Sequence, residues 1–439
     1  MNGVLLHSLS NGFVVKYSFY NVVIAHDSDY ILYNVYSDKM MAISAEVYQL
    51  IFDYKGNPNA LQHIHPELFD AMLKMNFIVE KSVNEYEKTV NELKEESISR
   101  DSYHLTINPT MDCNFRCWYC YEEHNVNSCM ELKIVDSVKR LINNIVSNVR
   151  INKLVLSFFG GEPLLYYKKI IKPILLYTKE KCGEYGKQYD VYITTNGYLL
   201  KDSVIKDLLS YPFVSLQVPI DGSRVYHDNI KKFSDGCGTF DVVLNNLIKA
   251  VEAGLDITVR CNYTNHNINS FADLLGLFEN YAGKANLNFA FHKVWQEPMT
   301  NELKDRVYEM YKLFIGKGFF TTNNIVQRGM CYADYKNSAV VNYNGDIFKC
   351  TARDFSSKNR LGQLLEDGTI DWNERSVRRN SCKYQSKVCE TCKFFPICIQ
   401  GCSQNVYERL SYNECLMGYT NSEVSDMIET RVEYKLLNC

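Results

Sequence analysis

Between residues 103 and 300, six short β-branched or apolar runs alternate with helical stretches, and this rhythm constrains the fold more than any other feature of the chain. The runs fall at 103–108, 153–159, 190–194, 213–220, 256–263 and 286–292, with helical periodicity at 130–147, 164–182, 239–254 and 270–281. Strands separated by helices pair in parallel, because a parallel connection needs a crossover long enough to hold a helix. The pattern predicts an α/β fold, either a barrel or a doubly wound sheet, and does not choose between them. Both architectures place their sites at the C-terminal ends of the strands.

The flanks read differently. Residues 12–36 alternate in a strand-like way while 43–53 and 66–75 carry helical periodicity, which predicts a small β-hairpin plus winged-helix domain over 1–85. Residues 84–100 are polar and charged, so 86–102 is expected to be a linker, either helical or a solvated connector. From about 320 the helical rhythm stops and cysteine and turn residues dominate. A loop-rich domain held together by metal is therefore expected over 321–439, ending in a helix.

At 439 residues and 46% apolar, the chain is long enough for about three domains with real cores. Its formal charge of −3 offers no basic field for nucleic acid, so no nucleic-acid partner is expected. No run of ~18 apolar residues appears and the first residues lack a cationic segment followed by an apolar one, so no membrane partner is expected and the location is read as cytoplasmic. Ten of the 16 cysteines fall into two spaced clusters, which in a chain of this length points to metal ligation in a reducing cytosol.

The first cluster, MDCNFRCWYC, follows directly on the first strand of the α/β region and supplies Cys113, Cys117 and Cys120 without a fourth thiol. A closed tetrahedral site needs four ligands. The three cysteines therefore recruit a fourth, His124 in a Cys3His zinc knuckle being the candidate, or hold a cubic cluster with one corner open for a ligand. Three later segments end on strands: Gly160-Gly161-Glu162-Pro163, Thr194-Thr195-Asn196-Gly197, and Arg260 with Asn262, which alternate to one face.

In this order the motifs resemble those of the radical SAM superfamily. The resemblance implies a partial (β/α)6 TIM-like barrel over 103–320 and a [4Fe–4S] cluster on Cys113, Cys117 and Cys120, with Tyr119 beside the third ligand. The unique iron of that cluster would chelate S-adenosylmethionine, whose cleavage yields a 5′-deoxyadenosyl radical. The resemblance further places Gly160, Gly161, Glu162 and Pro163 at the methionyl ammonium, Thr195 and Asn196 at the ribose, and Arg260 at the carboxylate or adenosine. Asp221-Gly222 and His227-Asp228 resemble another family pattern, but Lys231 stands where an arginine is usual, so no role is carried to it.

The second cluster is similar to the SPASM domain, a C-terminal extension that binds two auxiliary [4Fe–4S] clusters. The resemblance implies a distal cluster on Cys389, Cys392, Cys398 and Cys415 and a nearer one on Cys331, Cys350 and Cys402, giving three clusters in all. The nearer one lacks an eighth cysteine, so it takes another ligand, with Asp334 as candidate, or keeps an open iron. The remaining thiols, Cys129, Cys182, Cys237, Cys261, Cys382 and Cys439, are read as small hydrophobes, with Cys382 nearest to the second cluster.

The implied function is modification of a ribosomally made precursor peptide: hydrogen abstraction from a residue, then a carbon–carbon or thioether crosslink or similar change. The N-terminal domain looks like the leader-recognition modules of such maturases, which bind peptide along a sheet edge. A leader-bearing peptide and a reductant such as flavodoxin or ferredoxin are the expected partners; no catalytic base is assigned. The alternative is an anaerobic sulfatase-maturing enzyme forming formylglycine, in which an Asp base directly follows the cysteine of the Gly-x4-Cys element. Here Thr351 follows Cys350 and Asp354 comes three positions later, which counts against it. A non-enzymatic iron–sulfur or zinc protein that senses redox state also remains, and predicts no binding of S-adenosylmethionine.

Overall fold

The computed structural model describes residues 14–322, 329–409 and 413–437. The chain divides into two units. One holds the described residues up to Ile98, a short stretch ending at Cys331 and those from Arg379 onward; the other holds 99–322 and Tyr332–Arg378.

Five strands open the first unit: β1 (Val15–Tyr17), β2 (Asn21–His26), β3 (Asp29–Asn34), β4 (Lys39–Ile43) and β5 (Ile78–Glu80). β1 pairs antiparallel with β5, while β2, β3 and β4 form an antiparallel sheet in that order. Successive residues of β3 point to opposite faces. Leu32 therefore packs with Val15, Ile43, Ile51, Phe69 and Met72, the last three from helices Ala45–Tyr54 and Pro66–Lys74. Ile31 and Tyr33 pack on the other side with Phe394, Ile397, Ile428 and Val432, so the cysteine-rich tail and its closing helix Asn421–Leu437 share a core with the N-terminal sheet. Residues expected as a linker form the helix Glu85–Ser99, whose first turn is docked: Ser18 Oγ (2.5 Å) and the Phe19 amide (2.9 Å) both donate to buried Glu85.

The second unit carries an 11-stranded sheet. β6 (Ser102–Ile107), β7 (Lys153–Phe158), β8 (Gln188–Thr194), β9 (Val214–Ile220), β10 (Asp256–Tyr263), β11 (Leu287–Lys293) and β12 (Phe320–Thr322) run parallel and lie side by side in chain order. Winding in one direction without a switch point is the barrel solution, left open here because, among the described residues, the two ends of the sheet do not pair. The expected partial barrel is present, with each of the six predicted strands found within two residues of its expected start. On the far side of β6 the sheet continues through β13 (Ser338–Val341), parallel to it, and an antiparallel meander of β14 (Asp346–Phe348), β15 (Gly362–Leu364) and β16 (Ile370–Trp372). Along β7 and β9 buried residues such as Leu154, Leu156, Leu216 and Val218 alternate with half-buried Ser157 and Gln217. The apolar set faces the helices; the polar set lines the interior.

Candidate active site

The loop after β6 is fixed at its base. Thr110 Oγ1 donates to the Ser128 carbonyl (2.5 Å), the Met111 amide donates to Ser128 Oγ (2.8 Å), and the Met130 amide donates to the Pro109 carbonyl (2.9 Å). Asp112 turns the chain into the thiol run by accepting from the amides of Cys113 (2.8 Å) and Asn127 (2.9 Å). Farther out, Phe115 packs edge-on against Tyr198 and Phe233, and the Arg116 amide donates to the Lys232 carbonyl at 3.1 Å. The cysteines thus stand on a braced loop.

Gly160 and Gly161 press against that loop. A Cβ on Gly160 would lie 2.3 Å from the Thr110 carbonyl oxygen, and one on Gly161 would lie 2.2 Å from that of Asp112. Both are glycine because backbone meets backbone here, and Gly160, at φ +103°, also uses a conformation that side chains disfavour. The Gly161 amide donates to Thr110 (3.1 Å) and the Glu162 amide to Asp112 (2.8 Å), which ties the end of β7 to the thiol loop.

Glu162 is fully buried and accepts three hydrogen bonds, from the Leu164 amide (2.9 Å), Thr195 Oγ1 (2.7 Å) and the Asn196 amide (2.7 Å). Burial pushes its carboxyl up to about 7, against the pull of those donors. Its partners join the turn after β7 to the turn after β8. Asn196 then reaches the thiol loop, donating through Nδ2 to Asn114 Oδ1 at 2.8 Å.

Cys113, Cys117 and Cys120 line one cavity of about 170 Å³. Tyr119, Gly160, Gly161, Thr195, Asn196 and Arg260 line it as well, whereas Glu162 and Pro163 lie behind the wall. His124 also borders the cavity. Among the described residues, no three or more His, Cys, Asp or Glu side chains are gathered closely enough to hold a single ion. Thiols spread around a cavity suit a cubic cluster, in which each sulfur binds a different iron. Burial pushes the Cys113 thiol up to about 12 and that of Cys120 to about 11, so loading iron must displace their protons.

A buried polar chain runs behind the second thiol. Arg260 Nε donates to Asn262 Oδ1 (2.9 Å), and Asn262 Nδ2 donates to Tyr119 OH (3.0 Å) and Asp221 Oδ1 (3.1 Å). The Tyr119 hydroxyl donates to Asp221 Oδ2 at 2.6 Å. Lys231 Nζ sits 3.6 Å from Asp221 Oδ2 and donates to Cys117 Sγ at 3.8 Å. Burial alone would lower the Lys231 ammonium, but Asp221, with Cys117 and Tyr119, holds it well above the usual lysine range. Sequence reasoning left Lys231 without a role because it departs from the family's arginine; its placement at the end of helix Arg224–Ile230 is visible only in three dimensions. Glu122, also unforeseen, borders the same cavity with a buried Oε1 that has no partner, and burial raises its carboxyl to about 8.

A second chamber of about 270 Å³ occupies the barrel interior and shares Tyr121, Phe159, Thr194, Arg260 and Trp295 with the thiol cavity. Its wall mixes aromatic residues with polar ones, among them His104, Thr106, Ser157, Gln217 and Thr351. Tyr121 stacks on Trp295, with ring centroids 6.0 Å apart, and its hydroxyl donates to the Thr351 carbonyl (2.6 Å). The Thr351 amide donates to Tyr332 OH at 3.0 Å, and the two hydroxyls share a hydrogen bond of 2.8 Å. Asp354 does not line the chamber. It accepts from the Ser356 amide (3.1 Å) and Asn359 (3.1 Å).

In the first unit, Cys389, Cys392, Cys398 and Cys415 together line a cavity of about 500 Å³. Cys398 is followed by three residues with positive φ, Ile399 (46°), Gln400 (64°) and Gly401 (67°). That is a strained run for a β-branched residue, and it turns the Gln400 and Gly401 amides toward the Cys398 sulfur. Four thiols and aimed amides fit an iron–sulfur cluster. Cys402 and Cys331 belong to this unit and Cys350 to the other, and none of the three lines this cavity. Asp334 lies on the turn Tyr332–Asp334 of the second unit. Cys382 is buried among Val406 and Leu416 and donates to the carbonyls of Arg379 (3.1 Å) and Ser403 (3.5 Å), so it acts as a core residue. Cys439 lies outside the described residues.

Residues 107–278 match the Radical SAM superfamily. The chain is 31% identical over 175 residues to GTP 3′,8-cyclase of Campylobacter jejuni subsp. doylei, covering 38% of this chain and 48% of that enzyme; it thus spans about half the length of these relatives. Over 354 residues it is 21% identical to Cysteine-type anaerobic sulfatase-maturating enzyme of Clostridium novyi, covering 69% of this chain and 88% of that one. Native anSMEcpe with bound AdoMet superposes with a TM-score of 0.59 at 17% identity, covering 76% of this chain and 98% of that one. Streptococcus suis SuiB bound to S-adenosylmethionine superposes at 0.52 with 18% identity, covering 90% and 97%. The two proteins are also solved with a Kp18Cys peptide and with precursor peptide SuiA, respectively. At such identities the structural likeness establishes the fold alone. Residues 107–278, where the thiol loop, the glycine turn and the buried polar chain are assembled, are thus the part of this chain that is similar to the radical SAM superfamily.

Proposed function

We propose that the chain is a peptide-modifying enzyme that abstracts hydrogen from a residue of a bound precursor peptide and installs a carbon–carbon or thioether crosslink or a similar change. The match of residues 107–278 to the superfamily supports S-adenosylmethionine and a [4Fe–4S] cluster as cofactors, which when bound would supply a 5′-deoxyadenosyl radical. Cys113, Cys117 and Cys120 hold the cluster in this reading; Gly160, Gly161, Thr195, Asn196 and Arg260 line the same cavity as contacts for S-adenosylmethionine. Glu162 keeps its expected place at the methionyl group only through the turns it braces, and Pro163 shapes the turn behind it.

The observation that carries the reading is the wall common to the thiol cavity and the barrel chamber. A substrate side chain in the chamber faces the radical source across Phe159, Thr194 and Arg260, beside the stacked rings of Tyr121 and Trp295. The antiparallel sheet of the first unit adds a docking place: among the described residues β4 pairs only with β3, which leaves an edge for a leader strand. Cys389, Cys392, Cys398 and Cys415 hold an auxiliary cluster, an electron acceptor for the substrate radical; flavodoxin or ferredoxin is the reductant.

The likeness to sulfatase-maturating enzymes favours formylglycine formation as a second reading. Against it, the position expected to carry the base is Thr351, whose hydroxyl is bound to Tyr332, and Asp354 is engaged elsewhere. Co-expression with short peptides encoded beside the gene, followed by mass spectrometry, tests the proposal. A loss of about two daltons with the backbone intact is expected. Unaltered peptides, together with conversion of a cysteine to formylglycine in a sulfatase peptide, would overturn it.

A further inference from the structure

We propose that Lys231 is a positioning residue which donates its ammonium to the Cys117 sulfur and, balanced by Asp221, sets how readily the cluster at that sulfur is reduced; this rests on the cluster reading given above. Three observations converge. First, Lys231 and Asp221 are almost wholly buried, with side-chain exposures of 5% and 0%, so water does not screen either charge. Second, the ammonium is 3.8 Å from Cys117 Sγ and lies over the Tyr119 ring at 5.4 Å, on the cavity side of the pair. Third, it is held from both ends: the Lys231 amide donates to the His227 carbonyl (2.6 Å) and its own carbonyl accepts from Thr239 Oγ1 (2.5 Å).

Hydrogen bonds to the sulfurs and the net charge nearby are among the terms that set iron–sulfur potentials. Reduction adds one electron, here taken from dithionite, and so adds negative charge beside Cys117. A cation at that sulfur favours the reduced form; Asp221 opposes it and limits the effect. A residue serving only to neutralise a buried carboxylate would leave the cluster's potential where it was. Opposite effects from the two members of the pair are the signature of the proposed role.

Anaerobically reconstituted wild type, K231M, K231R and D221N are titrated potentiometrically with dithionite and followed by electron paramagnetic resonance, with iron content determined on each sample. The relevant signal is identified by its absence from the triple variant C113A/C117A/C120A. K231M is expected to make reduction about tenfold less favourable, ~59 mV lower for a one-electron couple. K231R should restore most of that shift, and D221N should move the potential upward. K231M with wild-type iron content and an unchanged or higher potential would overturn the proposal. Should K231M not retain the cluster, D221N decides: an unchanged or lower potential overturns it. If the triple replacement removes no signal and no iron relative to wild type, the cluster reading itself falls.

Discussion

Glu162 bears on both stability and the site, because one carboxyl joins two turns that wall the cavity. An ordinary carboxyl ionises at 4.5, whereas Glu162 in the folded chain does so at about 7. The folded state therefore holds this proton more tightly. The stability that the group contributes is complete below 4.5 and is lost as pH rises through about 7, an amount on the order of 3 kcal/mol. Glu162→Gln removes the titration. In chemical unfolding of iron-free protein, wild type should lose more stability than the variant as pH is raised across that window; parallel profiles would contradict the assignment. At this scale the sequence was informative wherever spacing alone carries chemistry. Cys113, Cys117, Cys120 and the glycine pair are recognisable from their intervals, and the cavity collects them. Lys231, Asp221 and Glu122 were not legible in this way, since a buried ion pair or an unpartnered carboxyl depends on contacts between strand ends far apart in the chain. The glycines also serve a purpose that spacing does not reveal, the fit of two backbones within van der Waals distance.

Among the elements, the six barrel strands were legible because apolar and polar residues alternate along them between helices. β12 and β13, three and four residues long, give too short a period to recognise, and β13 joins β6 across more than two hundred residues of chain. Helix Asn421–Leu437 has little amphipathic pattern, because it docks through a charged group as well as apolar ones. Arg431, nearly buried, grips Asp38 through Nε (3.0 Å) and Nη2 (2.7 Å), and the Tyr33 hydroxyl donates to the same carboxylate at 2.5 Å. Asp38→Ala leaves that cation buried and unpaired; with the carboxylate a quarter exposed, the expected loss is about 2 kcal/mol. Adding Arg431→Met should recover part of it in a double-mutant cycle read by urea unfolding. Strict additivity of the two changes would show that the pair does not hold the helix to the sheet.

For the molecule as a whole, the fold was accessible from sequence, while the division into units was not. The N-terminal sheet and the cysteine-rich tail form cores together, a long-range pairing that local periodicity does not encode. Among the described residues no helix is long and apolar enough to cross a membrane. The proposed chemistry requires Cys113, Cys117 and Cys120, which line one cavity with Gly160 and Gly161, to hold a cluster that leaves one corner for S-adenosylmethionine. The direct measurement is release of 5′-deoxyadenosine by anaerobically reconstituted protein given dithionite and S-adenosylmethionine. Wild type should release it, and C113A/C117A/C120A should release none while keeping the iron held by the tail. Full iron loading of wild type with no 5′-deoxyadenosine, or undiminished release by the triple variant, would contradict the account.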